Sequence, residues 1–237
     1  MKREKIFEIL ENNGWDMSIP EVTDAMKGDR NLILEAIKND GLRDEGSNIE
    51  YANKRLLNDK KFILRALDYS SYILEYTPAR INDDKDIILK AVQSMGSAVQ
   101  YASDKLKKNK KIGLKSVQME GAAIQFLNDK LKIDPDIIIA ATKNDQSALA
   151  YVNKNIYLNK KLFSKIVKSN GLALEFANDE LKKDRKIVLA AVNNNLSALK
   201  YANKSLKKDK KIMTLIKKKR KILQNKNSKK KINAIRN

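Results

Sequence analysis

Leu181–Asn203 reads LKKDRKIVLAAVNNNLSALKYAN, and near-copies of that stretch recur along the chain at one fixed interval. Stepping back from Tyr201 in twenty-fives meets Phe176, Tyr151, Phe126, Tyr101, Tyr76 and Tyr51. Five residues after each aromatic stands Leu56, Ile81, Leu106, Leu131, Ile156, Leu181 or Leu206. Eight residues after it stands Asp59, Asp84, Asn109, Asp134, Asn159, Asp184 or Asp209. Register held over seven units with a 25-residue period is the signature of a stacked-repeat architecture.

Each unit reads as two short helices. The Asp or Asn is an N-cap, because its side-chain oxygen can accept an orphan backbone N–H of the first turn. Pro135, directly after Asp134, stands at the first helical position, where proline is tolerated. The apolar run that follows covers most of the circumference, as in Ile187, Val188, Leu189, Ala191 and Val192, so this helix is sandwiched between neighbours. Gly96, Gly121 and Gly171 suit a C-terminal stop. A second helix, SALKYANKSL in the last unit, buries Ala198, Leu199, Ala202 and Leu206. Towards the N-terminus a worn unit is visible: Met26, Asp29, Leu32, Leu34, Ala36 and Ile37 fall on repeat positions if five residues are inserted in the loop GLRDEGSN. Ser18 and Pro20 would start its second helix, and residues 2–12 would form a capping helix. The expected fold is all-α: an αα-solenoid of about seven to eight two-helix repeats. Residues 1–28 would be N-terminal capping helices, 29–216 the solenoid and 217–237 a basic C-terminal tail. A leucine-rich repeat is the rival, and no unit carries its strand pattern.

The units LKKDRKIVLAAVNNNLSALKYAN and LKKNKKIGLKSVQMEGAAIQFLN resemble the repeats of the family known as domain of unknown function 4116, over roughly residues 29 to 214. That resemblance implies tandem helical repeats, as found in bacterial, protist and large-virus proteins, with no established activity and no functional residues to carry over. Tyr76-Thr77-Pro78 departs from the pattern, since Pro78 stands where Asn or Ser is usual.

Composition narrows the chemistry. Among 237 residues there is no cysteine and no histidine, which removes disulfides, thiolate metal sites and the commonest general base. No Walker loop, dinucleotide fingerprint or metalloprotease motif is present, so no cofactor is expected and the chain reads as a non-enzyme. The longest apolar run, Ile137–Ala141, is far short of the ~20 residues a membrane span needs, so no membrane insertion is expected. The charged start, MKREKIFEILENNGW, lacks a signal peptide's apolar segment. A soluble cytoplasmic or other intracellular protein is expected, nuclear if the host is eukaryotic.

Five features compete for a function. The aromatic ladder reads as core packing rather than a stacking platform, since Tyr and Phe interchange. The ladder Asn53, Asn128, Asn153, Asn178 and Asn203 reads as a set of structural hydrogen bonds at a helix end. Asp83, Asp84 and Asp86 give only a weak cation signal, because Asp84 is already explained as a cap. The basic pairs Lys60/Lys61, Lys110/Lys111, Lys160/Lys161, Arg185/Lys186 and Lys210/Lys211 occupy first turns, where cations oppose the helix macrodipole. Stacking would align them on one edge as an anion-attracting stripe, against the bland alternative of a solvated lysine edge.

Charge is also graded along the chain. Net charge is −5 over residues 1–50, +11 over 51–203 and +14 over 204–237. The last segment holds Lys217, Lys218, Lys219, Arg220, Lys221, Lys229, Lys230 and Lys231; beyond Leu223 little apolar periodicity remains, so the tail is expected to be flexible or helical only when bound. These cations and the first-turn residues Lys110, Lys111, Lys160, Lys161, Arg185, Lys186, Lys210 and Lys211 are the candidate contacts to an anionic partner, nucleic acid, ribonucleoprotein or an acidic protein surface. The other reading is a structural or adaptor protein whose repeat face binds a protein partner.

Overall fold

A computed structural model describes residues 3–40, 47–152 and 154–236, with side chains described as far as Lys226. All regular structure among the described residues is helical, with no strand. The chain divides into two compact units, Met1–Leu131 and Lys132–Asn237.

The first unit opens with α1 (Arg3–Asn12), which buries Ile6 and Leu10, one turn apart, beneath Trp15 and Met17. Gly14 and Trp15 both take positive φ, 65° and 64°, and this left-handed turn lets the Trp15 amide bond back to the Leu10 carbonyl at 2.6 Å. The helix expected to begin at Ser18 and Pro20 does not form. Turns occupy residues 18–25 and only Met26–Gly28 coils, as a 3-10 turn. The long helices α2 (Arg30–Asp40), α4 (Lys60–Ala66), α6 (Lys85–Ser94) and α7 (Lys110–Met119) then recur, each packed on the next. Between them lie the one-turn helices α3 (Lys54–Leu57) and α5 (Ala79–Asn82), and α8 (Asp129–Lys132) follows α7. In the second unit the long helices are α9 (Pro135–Asn144), α10 (Lys160–Ser169), α12 (Arg185–Asn194) and α13 (Lys210–Arg236), again packed in sequence, with the short α11 (Asp179–Lys183) before α12.

Every long helix of the repeats starts at its expected cap. Asp29, Asp59, Asp84, Asn109, Asp134, Asn159, Asp184 and Asp209 each accept a first-turn amide, at 2.8–3.0 Å for the shortest bond of each. Apolar residues at i, i+1, i+4 and i+5 face inward, as Ile87, Ile88, Ala91 and Val92 in α6 and Ile187, Val188, Ala191 and Val192 in α12. Phe62 and Phe163 are the largest wholly buried side chains.

The second half of each repeat differs from expectation. Instead of one helix it is a 3-10 turn, such as Gly96–Tyr101 or Leu196–Tyr201, then an extended residue, then a separate helical turn. The Asn ladder supplies the break. Asn53, Asn178 and Asn203 cap the second turn through side-chain oxygens that accept from Leu56, Leu181 and Ser205 amides at 3.0, 2.9 and 3.1 Å. Asn153 lies outside the described residues.

The same position also ties one repeat to the previous one. Ser103, Asn128 and Asn203 amides donate to the carbonyls of Asn82, Lys107 and Lys182, each twenty-one residues back, at 2.9, 3.2 and 3.0 Å. Asn53 donates to Lys27, twenty-six residues back. The extra five residues match the insertion read from the sequence. Pro78 has no amide hydrogen and cannot make this bond, and Arg80 beside it reaches the side chain and carbonyl of Asn58 instead.

Gly96 is not a left-handed helix stop. It opens its 3-10 turn, and a Cβ there would stand 2.5 Å from the Ser116 carbonyl oxygen of the next long helix. Gly171 meets the carbonyl of Ala191 in the same way. Glycine is needed for close approach between repeats.

Candidate nucleic-acid interface

In α2, α4, α10 and α12 the basic residue at the first helical position has a specific partner. Lys60 pairs with the Asp84 carboxylate at 2.8 Å and with Asp86 at 2.7 Å. Lys160 pairs with Asp184 at 3.5 Å, and Arg185 with Asp209. Arg30 pairs with Asp59. In every case the cation reaches the N-cap carboxylate of the following repeat, so each cap serves the dipole of its own helix and offsets the misplaced cation of the helix before. Spacing is twenty-four residues, or twenty-nine where the five-residue insertion intervenes.

Titration follows this geometry. The Phe62 amide, then the Arg30 guanidinium, hold the Asp59 carboxyl below its ordinary range. Arg185, then the amide of Ile212, do the same for Asp209. For Asp84 partial burial pushes the carboxyl up, but Lys60 and the amides of Ile87 and Asp86 outweigh it, and the result is a lowered value. The Lys60 ammonium is raised by Asp84 and Asp86. Asp83 is bound by Ser103 and Lys105, so this acidic stretch is engaged with cations of its own chain.

The sixteen candidate residues therefore separate. Lys160 and Arg185 hold repeats together, and Lys110 is also engaged. The second-position lysines Lys111, Lys161, Lys186 and Lys211, and Lys210 at the start of α13, are exposed or half-exposed. Lys217, Lys218, Arg220 and Lys221 are exposed on α13, while Lys219 bends back to the Asn193 carbonyl. The side chains of Lys229, Lys230 and Lys231 lie outside the described residues.

The expected flexible tail is instead the continuation of α13. Its first turns belong to the repeat array, with Asp209 as cap and Ile212 and Ile216 buried. Residues 210–236 contain neither Gly nor Pro, so nothing stops the helix at 216. They contain no Asp or Glu either.

Two surface features were not read from the sequence. The aromatic ladder is marginal rather than core: Tyr51, Tyr76, Tyr101, Phe126, Phe176 and Tyr201 are half-buried and Tyr151 is 43% exposed. Each closes a 3-10 turn just outside the buried pair, such as Ala98 and Val99. Tyr101 donates to Glu75 at 3.3 Å, and the Lys200 ammonium lies 4.4 Å from the Tyr201 ring centroid. The second feature is a groove of about 540 Å³ between α13 and the end of α12, lined by Asn194, Asn195, Leu196, Lys219, Ile222, Leu223 and Lys226. The i, i+3, i+4, i+7 spacing of its α13 residues was its signal in the sequence.

The profile of the family described as Domain of unknown function (DUF4116) matches residues 29–81, 84–126, 114–157 and 159–207, four tandem copies. The chain belongs to this family. The matches end at residue 207, before the cap of α13, so the basic helix stands outside the matched DUF4116 repeats. No curated protein and no solved structure gives a significant match. No helix among the described residues is long and apolar enough to cross a membrane.

Proposed function

We infer that the chain is a non-enzymatic helical-repeat scaffold, its repeats stacked as an αα-solenoid, whose C-terminal helix binds a polyanion, nucleic acid or a ribonucleoprotein. The observation that carries the reading is where the ion-pair ladder runs out. Within the repeats, a first-turn cation meets the cap carboxylate of its successor. Beyond Asp209 no further cap follows, and α13 has cations but no carboxylate of its own. Lys217, Arg220 and Lys221 share one face, with Lys218 at its flank, all exposed. A cationic helix face without counter-charge suits a phosphate backbone, whose release of condensed counterions drives association. The second-position lysines extend the same charge along helix starts, where backbone amides also favour anions.

The test is fluorescence anisotropy with a labelled generic RNA and a generic duplex DNA at low salt. Lys217, Lys218, Arg220 and Lys221 are changed together to Gln, which leaves buried Ile212 and Ile216 in place. Ending the chain before α13 would instead strip the last repeat of its apolar cover. Affinity should fall ~10-fold or more for both probes, with no dependence on sequence. Unchanged affinity would remove α13 as the contact.

A further inference from the structure

The groove beside α13 lies where a bulky residue stands at the start of the last 3-10 turn. Position 171, a glycine pressed against α12, becomes Leu196 one repeat later, against α13. Leucine is too large for that approach, and a cavity opens there. On its α13 wall Ile222 and Leu223 are 46% and 51% exposed, with Lys219 before them and Lys226 after. These four residues form one helix face, and the cations proposed to bind polyanion lie on the other side of the same helix.

The opposite end of the chain carries a matching face. On α1, Glu4, Phe7, Glu8 and Glu11 stand at the same i, i+3, i+4, i+7 spacing and line a shallow surface of their own. The three glutamates are exposed and Phe7 is half-exposed, its ring edge-on to Trp15 at 5.5 Å. One face is two lysines flanking two aliphatics, and the other is three glutamates around an aromatic. Charge follows the same division, −5 over residues 1–50 and +14 over 204–237.

We propose that the groove takes α1 of a second copy of this chain. Phe7 enters between Leu196, Ile222 and Leu223, and the glutamates meet Lys219 and Lys226 at the rim. Because the two surfaces differ, the contact is heterologous, and repetition gives head-to-tail chains or closed rings. Rim charge makes the association weaken as salt screens it.

Two full-length variants test this by sedimentation velocity and equilibrium. The head variant is Glu4→Lys/Glu8→Lys/Glu11→Lys, and the tail variant is Ile222→Ser/Leu223→Ser. All five sites are exposed, and retained far-UV circular dichroism checks that both variants fold. The wild type is expected to grow in mass with concentration at ~0.05 M salt and to revert towards monomer at ~0.5 M. Each variant alone should associate ~10-fold more weakly or worse. Mixed, they should form a 1:1 dimer and stop there, since only one intact head and one intact tail remain per pair. A wild type that stays monomeric to ~1 mM at low salt, association that persists in either variant, or a mixture that forms no dimer overturns the proposal.

Discussion

Gly96→Ala measures how closely successive repeats are pressed together. The new Cβ would lie 2.5 Å from the Ser116 carbonyl oxygen, 2.6 Å from Glu120 Cβ and 2.9 Å from the Glu120 amide nitrogen. Two of those atoms are backbone of α7 and its end, which no rotamer change can withdraw. The interface must open on the order of 1 Å, and a gap of that size forfeits a quarter to a half of each dispersion contact across it. Ala98, Val99, Ser116 and Val117 line that seam and are wholly buried, so the loss is shared widely. Overpacking of this kind costs ~1–3 kcal/mol. The substitution also restricts the unfolded chain, which returns ~0.4–1 kcal/mol. The net expectation is a destabilisation of about 1–2 kcal/mol. Urea denaturation followed by far-UV circular dichroism reads it as a lower midpoint at an unchanged m-value. A variant as stable as the wild type, or more so, would mean that the two repeats are not pressed together at this glycine.

Ser116→Ala removes the buried hydroxyl that donates to the Gly96 carbonyl at 2.8 Å, and the same titration should show a loss of ~1 kcal/mol. Asn178→Ala deletes the cap on the Leu181 amide and should cost ~1 kcal/mol, recovered in large part by Asn178→Asp. For Asp59, Asp84 and Asp209 the folded carboxyls titrate below their unfolded values, so their stabilisation is complete above the unfolded value near pH ~4 and is lost as pH falls through the folded value. Melting temperature should therefore be level through neutral pH and drop in acid, and the triple change to Asn should flatten that acid limb. A limb unchanged in the triple variant would place the acid sensitivity elsewhere.

The period, the eight caps and the five-residue insertion were legible because each depends on local chain geometry. A cap needs only a short polar side chain and the amides two or three residues on. The insertion reappears as two independent displacements of five, in the Asn53–Lys27 hydrogen bond and in the Arg30–Asp59 ion pair. What depends on neighbours was harder to read. Gly96 resembles a helix stop, and only the approach of Ser116 from the next repeat gives its reason. Lys160 and Arg185 resemble free surface charge until Asp184 and Asp209 are set beside them. Apolar spacing of 3 and 4 across Ala198, Leu199, Ala202 and Leu206 suggests one helix, but the Asn203 side chain satisfies the backbone in another way and splits it. Tyr201 and its counterparts carry apolar rings yet lie at the rim, because a 3-10 turn places its last residue beyond the buried pair. α13 was read as a tail because charge dominates its composition, although its freedom from Gly and Pro was in plain view.

The proposed role rests on α13 as a phosphate-binding helix, and the salt dependence of binding tests it most directly. The slope of log affinity against log salt for duplex DNA should be ~3.6 smaller in magnitude for the fourfold Gln variant than for the wild type, if each of the four cations neutralises one phosphate. Equal slopes for the two proteins, or no measurable binding by the wild type at low salt, would contradict it.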